Sequence, residues 1–225
     1  MKQKKWVNHH ADSAWRMFKI IAEFADGFDR MERYGPCISI FGSARTKPDH
    51  PAYELTVKIA EKLVKEGYGI ITGGGPGIME AGNKGAKNMK GRSVGLHIVL
   101  PHEEGANEYV DHNRVLVFRY FFARKVMFIK YAQAFIYMPG GFGTLDELFE
   151  VLTLVQTKKI AKVPIILVGK AYWSGLIDWI KQTVVAKEHN VSPDDLNLFH
   201  ITDDPAEVVK IIKAHYKKEA LAPNF

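Results

Sequence analysis

Short apolar runs alternate along this chain with longer segments of helical periodicity, and no other feature restricts the fold so strongly. The runs lie at 37–41, 69–71, 93–99, 114–117, 134–138 and 163–168, with a short seventh segment near 199–201. Between them, residues 51–65, 78–89, 120–131, 145–156, 172–185 and 205–216 place apolar side chains at helical spacing. Strands that read as continuous hydrophobic runs are buried on both faces. The pattern therefore predicts an α/β chain: a Rossmann-like, doubly wound parallel sheet of about six to seven strands with helices on both faces. Residues 11–33 space Trp15, Phe18, Ile21, Phe24 and Phe28 among Arg and Asp, which predicts an extra N-terminal helix packed on the core or on a partner subunit.

With 225 residues, 47% hydrophobic and 25% charged, the chain fits one globular domain. Its net charge of +6 favours anionic ligands such as nucleotides. The lysines and arginines are dispersed among acids, so nucleic acid, which selects a focused basic stripe, is not the expected partner. Cys37 is the only cysteine, which rules out an intrachain disulfide and a cysteine-based zinc site and fits a reducing cytoplasm. It sits in an apolar run and reads as a small core residue. The basic stretch 1–10 lacks the apolar segment of a secretion signal, and nothing is apolar for long enough to cross a bilayer, so no membrane partner is expected.

In a doubly wound sheet, ligands bind outside the carboxyl ends of the strands near the point where strand order reverses. Three strand-to-helix loops suit that place: Gly42-Ser43-Ala44-Arg45, Gly73-Gly74-Gly75-Pro76-Gly77 and Pro139-Gly140-Gly141-Phe142-Gly143-Thr144. Singly, each glycine loop is equally a tight turn. Together on one rim they point to a nucleotide or sugar-phosphate site, because helix N-termini present N–H groups and positive dipole ends to anions. Neither a Walker A sequence nor a G-x-G-x-x-G spacing is present, which favours a monophosphate over ATP or NAD. Thr144 is expected to cap a helix beginning at 145 or to bond an anion, and Glu147 leaves a carboxylate beside the same pocket. Asp146 points about 100° away from Glu147, so the pair is not a dyad. The expected organisation is a helical extension over 1–35, a single nucleotide-binding domain over 36–218 and a tail over 219–225. His97, His102 and His112 lack metal-ligand spacing and are expected in or beside the long polar loop 101–113. Trp173 and Trp179 read as core or subunit contact. Phe118, Tyr120, Phe121 and Phe122 read as packing, with a ring available to stack on a purine.

The stretch from Gly73 to Ala81, the pair Arg124-Lys125 and the nonapeptide from Pro139 to Glu147, in that order, resemble the LONELY GUY family. That family was long labelled as lysine decarboxylases and includes cytokinin-activating phosphoribohydrolases. The resemblance covers roughly residues 36–215. It implies hydrolysis of the N-glycosidic bond of adenine-type nucleoside 5′-monophosphates, AMP or N6-modified cytokinin nucleotides, to free base and ribose 5-phosphate, with no metal and no cofactor. It assigns catalysis to Glu147 and Arg124. A carboxylate near the ribose stabilises an oxocarbenium-like state or orients water, and a guanidinium holds phosphate or the departing base. Gly140, Gly141, Gly143 and Thr144 would cradle the phosphate, with Gly74, Gly75 and Gly77 lining the same cleft. Glu80 would meet the ribose hydroxyls, Lys125 an ion-pair partner or the phosphate, and Ser43, Arg45 and Met79 further parts of the ligand. The family also implies a homodimer or higher homo-oligomer with a shared active site. Many plant-like members carry Met-His-x-Arg-Lys where this chain has Phe121-Phe122-Ala123-Arg124-Lys125, a departure that bears on the choice of base.

On the residues alone, Glu147 and Glu80 are equally first-turn acids favoured by a helix dipole, and Arg124 is equally an ion-pair residue. Two other functions share the motifs: a non-catalytic carrier of a nucleotide or of molybdenum cofactor, and a true lysine decarboxylase. The latter needs pyridoxal phosphate on a Schiff-base lysine, for which the chain offers no convincing context.

Overall fold

The computed structural model describes residues 10–100 and 105–225; His102 and the basic run at 2–5 lie outside the described residues. Helix α1 (His10–Glu32) leads into β1 (Cys37–Phe41), α2 (Pro51–Lys65), β2 (Gly69–Thr72), α3 (Ile78–Asn88) and β3 (Ser93–Ile98). A 3-10 turn (His112–Arg114) precedes β4 (Val115–Phe118), followed by α4 (Phe121–Lys130), β5 (Ala132–Tyr137) and α5 (Phe142–Gln156). Strand β6 (Ile165–Val168), α6 (Lys170–Trp179), β7 (His200–Thr202) and α7 (Pro205–Tyr216) complete the chain. Helix α6 runs on as a π-wound segment over Ile180–Val185.

The seven strands form one parallel sheet in the order β4-β3-β2-β1-β5-β6-β7. The chain walks outward from β1 to β4 and returns to the far side of β1 with β5, so order reverses between β1 and β5. That gap is where a ligand crevice opens in such sheets. Strand side chains alternate between two cores. Ile38, Ile40, Ile70, Ile136 and Ile166 share one with residues of α2, α3 and α7. Phe41, Ile71, Leu96, Phe135, Tyr137 and Leu167 share the other with residues of α4, α5 and α6. Every residue of β1, β2, β3, β5 and β6 is buried, which is why these segments read as mainly apolar runs. Cys37 belongs to that core, and burial pushes its thiol up to about 11, removing it as a nucleophile.

Proline starts two helices where its missing N–H costs nothing. At α2 the His50 imidazole accepts from the Ala52 N–H, and at α7 the Asp204 carboxylate accepts from that of Ala206. Residues 219–225 return to the α4–β5 corner. There Asn224 Nδ2 donates to the carbonyls of Ile129 (2.6 Å) and Ala132 (2.8 Å), and its N–H to that of Lys130 (2.8 Å). Helix α1 packs on α4 through Phe24, 6.4 Å from Phe122, yet leaves Trp15, Met17, Phe18 and Ile21 exposed. No helix among the described residues is long and apolar enough to cross a membrane.

Candidate active site

The three glycine loops meet on one rim. Ser43 N–H donates to Pro139 O and Ile78 N–H to Ser43 O, each at 3.0 Å, so the loop after β1 is stitched to both others. Gly77 has φ +69°, and a Cβ there would lie 2.4 Å from Ser43 O; no side chain fits at that crossing. Cβ atoms at Gly73 and Gly75 would fall 2.6 and 2.8 Å from the Met79 thioether, which therefore packs against these glycines. The same virtual Cβ on Gly73 is 3.7 Å from Arg124 Nη1, placing the guanidinium of α4 against the loop after β2.

Helix α5 begins at Phe142, not at 145, with Gly141 as its N-cap. The expected cap by Thr144 is absent because Thr144 already lies in the first turn, where its N–H donates to Gly141 O at 3.0 Å. Its side chain is buried against Gly140, filling the space a Cβ there would occupy. A glycine N-cap has no side-chain acceptor, so no side-chain cap bonds the first turn of α5. Gly141 and Gly143 have nothing within 4 Å of a virtual Cβ, so packing does not explain these glycines, and both face open space.

Glu147 stands one turn beyond Gly143 on the same helix face, and helical side chains lean toward the N-terminus. Glu147 is 4% exposed, and its Oε2 is buried without a hydrogen-bond partner. Burial pushes its carboxyl up to about 7; Lys125 and Arg124 pull it down while Glu150 and Asp146 raise it. Beneath, the buried Tyr137 phenol donates to the Glu147 carbonyl at 3.1 Å and fixes this turn of the helix. Arg124 lies over the rings of Phe121 (5.2 Å) and Phe128 (5.6 Å). Lys125 binds Asp146 at 2.7 Å and Glu150 at 2.9 Å. Burial opposes its charge, but these carboxylates outweigh that and hold its pKa above the usual range. The ion pair is one of its two expected roles.

Around the loop after β2 the structure adds residues that carry no sequence motif. Asn107 reaches the carbonyls of Gly74 and Gly75 and the amide oxygen of Asn83. Tyr53, on α2, donates to Glu80 Oε1 at 2.6 Å. Tyr172, on α6, donates to Gly140 O. Each contact joins residues distant in sequence, so no local pattern signals it. Ser43 Oγ accepts from the Arg45 N–H at 3.0 Å, and both line a hollow of about 490 Å³ with Lys47 and His50. A hollow of about 590 Å³ lies at the opposite rim, past the end of α5, among Lys158, Lys159, Lys162 and Asp195, away from these groups. His97 lies near the end of β3, beside the long loop: it is 6% exposed, with Nδ1 unbonded. Trp173 is wholly buried and donates to Val168 O, whereas Trp179 is exposed.

A family model described as "possible lysine decarboxylase" matches residues 79–212, more than half of the chain. The chain belongs to the LONELY GUY family. Among members of that family, it is 31% identical over 138 residues to the cytokinin riboside 5′-monophosphate phosphoribohydrolase of Mycobacterium marinum, covering 60% of this chain and 73% of the relative. It is 27% identical over 177 residues to a phosphoribohydrolase of the same description from Arabidopsis thaliana, covering 77% and 80%. The LONELY GUY sheet also superposes on the molybdenum cofactor carrier protein of Chlamydomonas reinhardtii, with a TM-score of 0.58 and 21% identity over 82% of this chain and 99% of the other. At that identity the likeness is one of fold. At the level of the family, the activity is that of a hydrolase.

Proposed function

We propose that this protein hydrolyses the N-glycosidic bond of adenine-type nucleoside 5′-monophosphates, AMP or an N6-modified relative, to free base and ribose 5-phosphate. The observation that carries this reading is the buried Glu147 carboxylate, one oxygen unbonded, one helical turn behind a glycine helix start and close to Arg124. The 5′-phosphate would rest on the N–H groups at Gly141, Phe142 and Gly143, with Gly140 and Thr144 shaping the turn. Gly74, Gly75 and Gly77 would wall the cleft, and Glu80 would accept from the ribose hydroxyls. As the C1′–N bond breaks, its electron pair leaves with the base and positive charge grows on the ribose. Ionised Glu147 opposes that charge and accepts a proton from the water that adds to C1′. Arg124 would neutralise the phosphate or the departing base.

A lysine decarboxylase is disfavoured by Lys125. A Schiff-base lysine reacts as the neutral amine, whereas Asp146 and Glu150 hold this one charged. We also propose a cytoplasmic homo-oligomer. Phe121, Phe122, Phe142 and Phe149 are exposed beside Arg124 and Glu147, and with the uncovered face of α1 they form apolar surface that a second copy would bury.

Incubation with AMP, following adenine and ribose 5-phosphate, tests the reading. Release of both in equal amounts is expected. Binding without cleavage of any nucleoside monophosphate would replace the enzyme with a carrier.

A further inference from the structure

Both glycine loops are held from behind by a side chain from a later segment. Asn107 N–H donates to Gly74 O at 2.7 Å, and its Nδ2 donates to Gly74 O and Gly75 O, each at 2.9 Å. The same Nδ2 lies 3.1 Å from Asn83 Oδ1, which also accepts from Thr72 Oγ1 at 2.6 Å, while Asn83 Nδ2 donates to Ser93 Oγ at 3.0 Å. Thr72 Oγ1 in turn accepts from the Gly74 N–H at 3.0 Å. Asn83, Thr72 and Ser93 are completely buried, so this network is fixed by the core of the domain. At the other loop, the Tyr172 phenol takes the carbonyl of Gly140.

A planar trans peptide points its N–H opposite to its carbonyl. Pulling Gly74 O toward Asn107 therefore turns the Gly75 N–H away from segment 105–111. Pulling Gly140 O toward Tyr172 turns the Gly141 N–H away from α6. Neither glycine would hold such an orientation by itself, because glycine has the widest backbone freedom of any residue.

We propose that Asn107 and Tyr172 are positioning residues that preset the two glycine loops for the sugar-phosphate end of the ligand, each by holding a loop carbonyl back. This rests on the proposed nucleotide site and adds the residues that preorganise it. Without these side chains the loops are held less firmly, the Gly74 carbonyl by the Asn107 N–H alone, and their peptides can turn to present carbonyl oxygens, which repel an anion.

The test is calorimetric binding of two probes, ribose 5-phosphate and adenine, to the full chain and to Asn107→Asp, Asn107→Ala and Tyr172→Phe. Asn107→Asp keeps the shape but sets acceptors against the Gly74 and Gly75 carbonyls; Tyr172→Phe removes one hydroxyl from an exposed ring and serves if the Asn107 variants do not fold. Ribose 5-phosphate should bind at least tenfold more weakly to the Asn107 variants and about threefold more weakly to Tyr172→Phe, with adenine affinity within twofold of wild type. Unchanged ribose 5-phosphate affinity in the folded variants overturns the proposal. So does an equal loss of both probes, which would mark a general structural role, and so does a wild type that binds neither. A wild type that binds AMP without cleaving it sinks the hydrolase reading alone and leaves this comparison decisive.

Discussion

The Tyr53 phenol donates to one carboxylate oxygen of Glu80 across 2.6 Å, linking the first turn of α2 to the first turn of α3. Burial and this hydrogen bond both raise the phenol's pKa, so it stays a donor throughout the working range. Lys84, one turn after Glu80, lies over the rings of Tyr53 and Tyr109, at 5.6 and 5.5 Å. Tyr53 thus orients the Glu80 carboxylate, the group proposed above to meet the ribose hydroxyls. Tyr53→Phe should raise KM for AMP several-fold and leave KM for 2′-deoxy-AMP unchanged. Equal effects on the two substrates would reduce Tyr53 to packing.

Glu147→Gln should abolish most of the activity, with kcat down at least 100-fold, while making the protein more stable above pH 7. The folded carboxyl titrates near 7 against 4.5 for the free group. Between those values the unfolded chain releases a proton that the folded chain keeps, so stability falls as pH rises through that window. The shift corresponds to about 3 kcal/mol. Scanning calorimetry should show the variant melting roughly 5–10 °C above wild type at pH 8 and close to it at pH 4.5. A lower melting temperature at pH 8 would contradict the buried, reluctant carboxylate.

The same group sets a pH profile. If ionised Glu147 is required, kcat/KM for AMP rises with pH along a limb centred near 7. A limb centred near 4.5 would point to an exposed carboxylate elsewhere.

Arg124 lies against two aromatic rings and the glycine loop, a place that suits a flat fork. Arg124→Ala should lower kcat/KM about 100-fold, and Arg124→Lys should recover less than a tenth of the loss. Full recovery by lysine would mean that charge alone suffices.

Sedimentation velocity should find a homo-oligomer at micromolar concentration. Replacing Phe18 and Ile21 on the exposed face of α1 with glutamate should shift it toward smaller species without loss of helical content. A wild type that sediments as a monomer removes the shared-surface reading.

The sheet was legible because burial on both faces leaves its mark residue by residue: the run from Ala134 to Tyr137 contains no polar atom outside the backbone and one phenol. The start of α5 was displaced because Gly143 and Thr144 look like turn residues. Glycine is tolerated at the first positions of a helix, where N–H groups need no carbonyl one turn back. Arg124, Glu147 and the glycine loops stood out through motifs. Asn107, Asn83, Tyr53 and Tyr172 did not, since each acts through contacts made only once distant segments meet.

The strap of residues 219–225 has a practical side. Asn224 closes three carbonyls at the corner where the helix bearing Arg124 runs into β5, so a shortened version of this chain is not a neutral reagent. Trimming back to Tyr216 for expression or crystallisation would loosen the rear of the helix whose front holds the guanidinium. A weak enzyme so obtained would be mistaken for a poor substrate match.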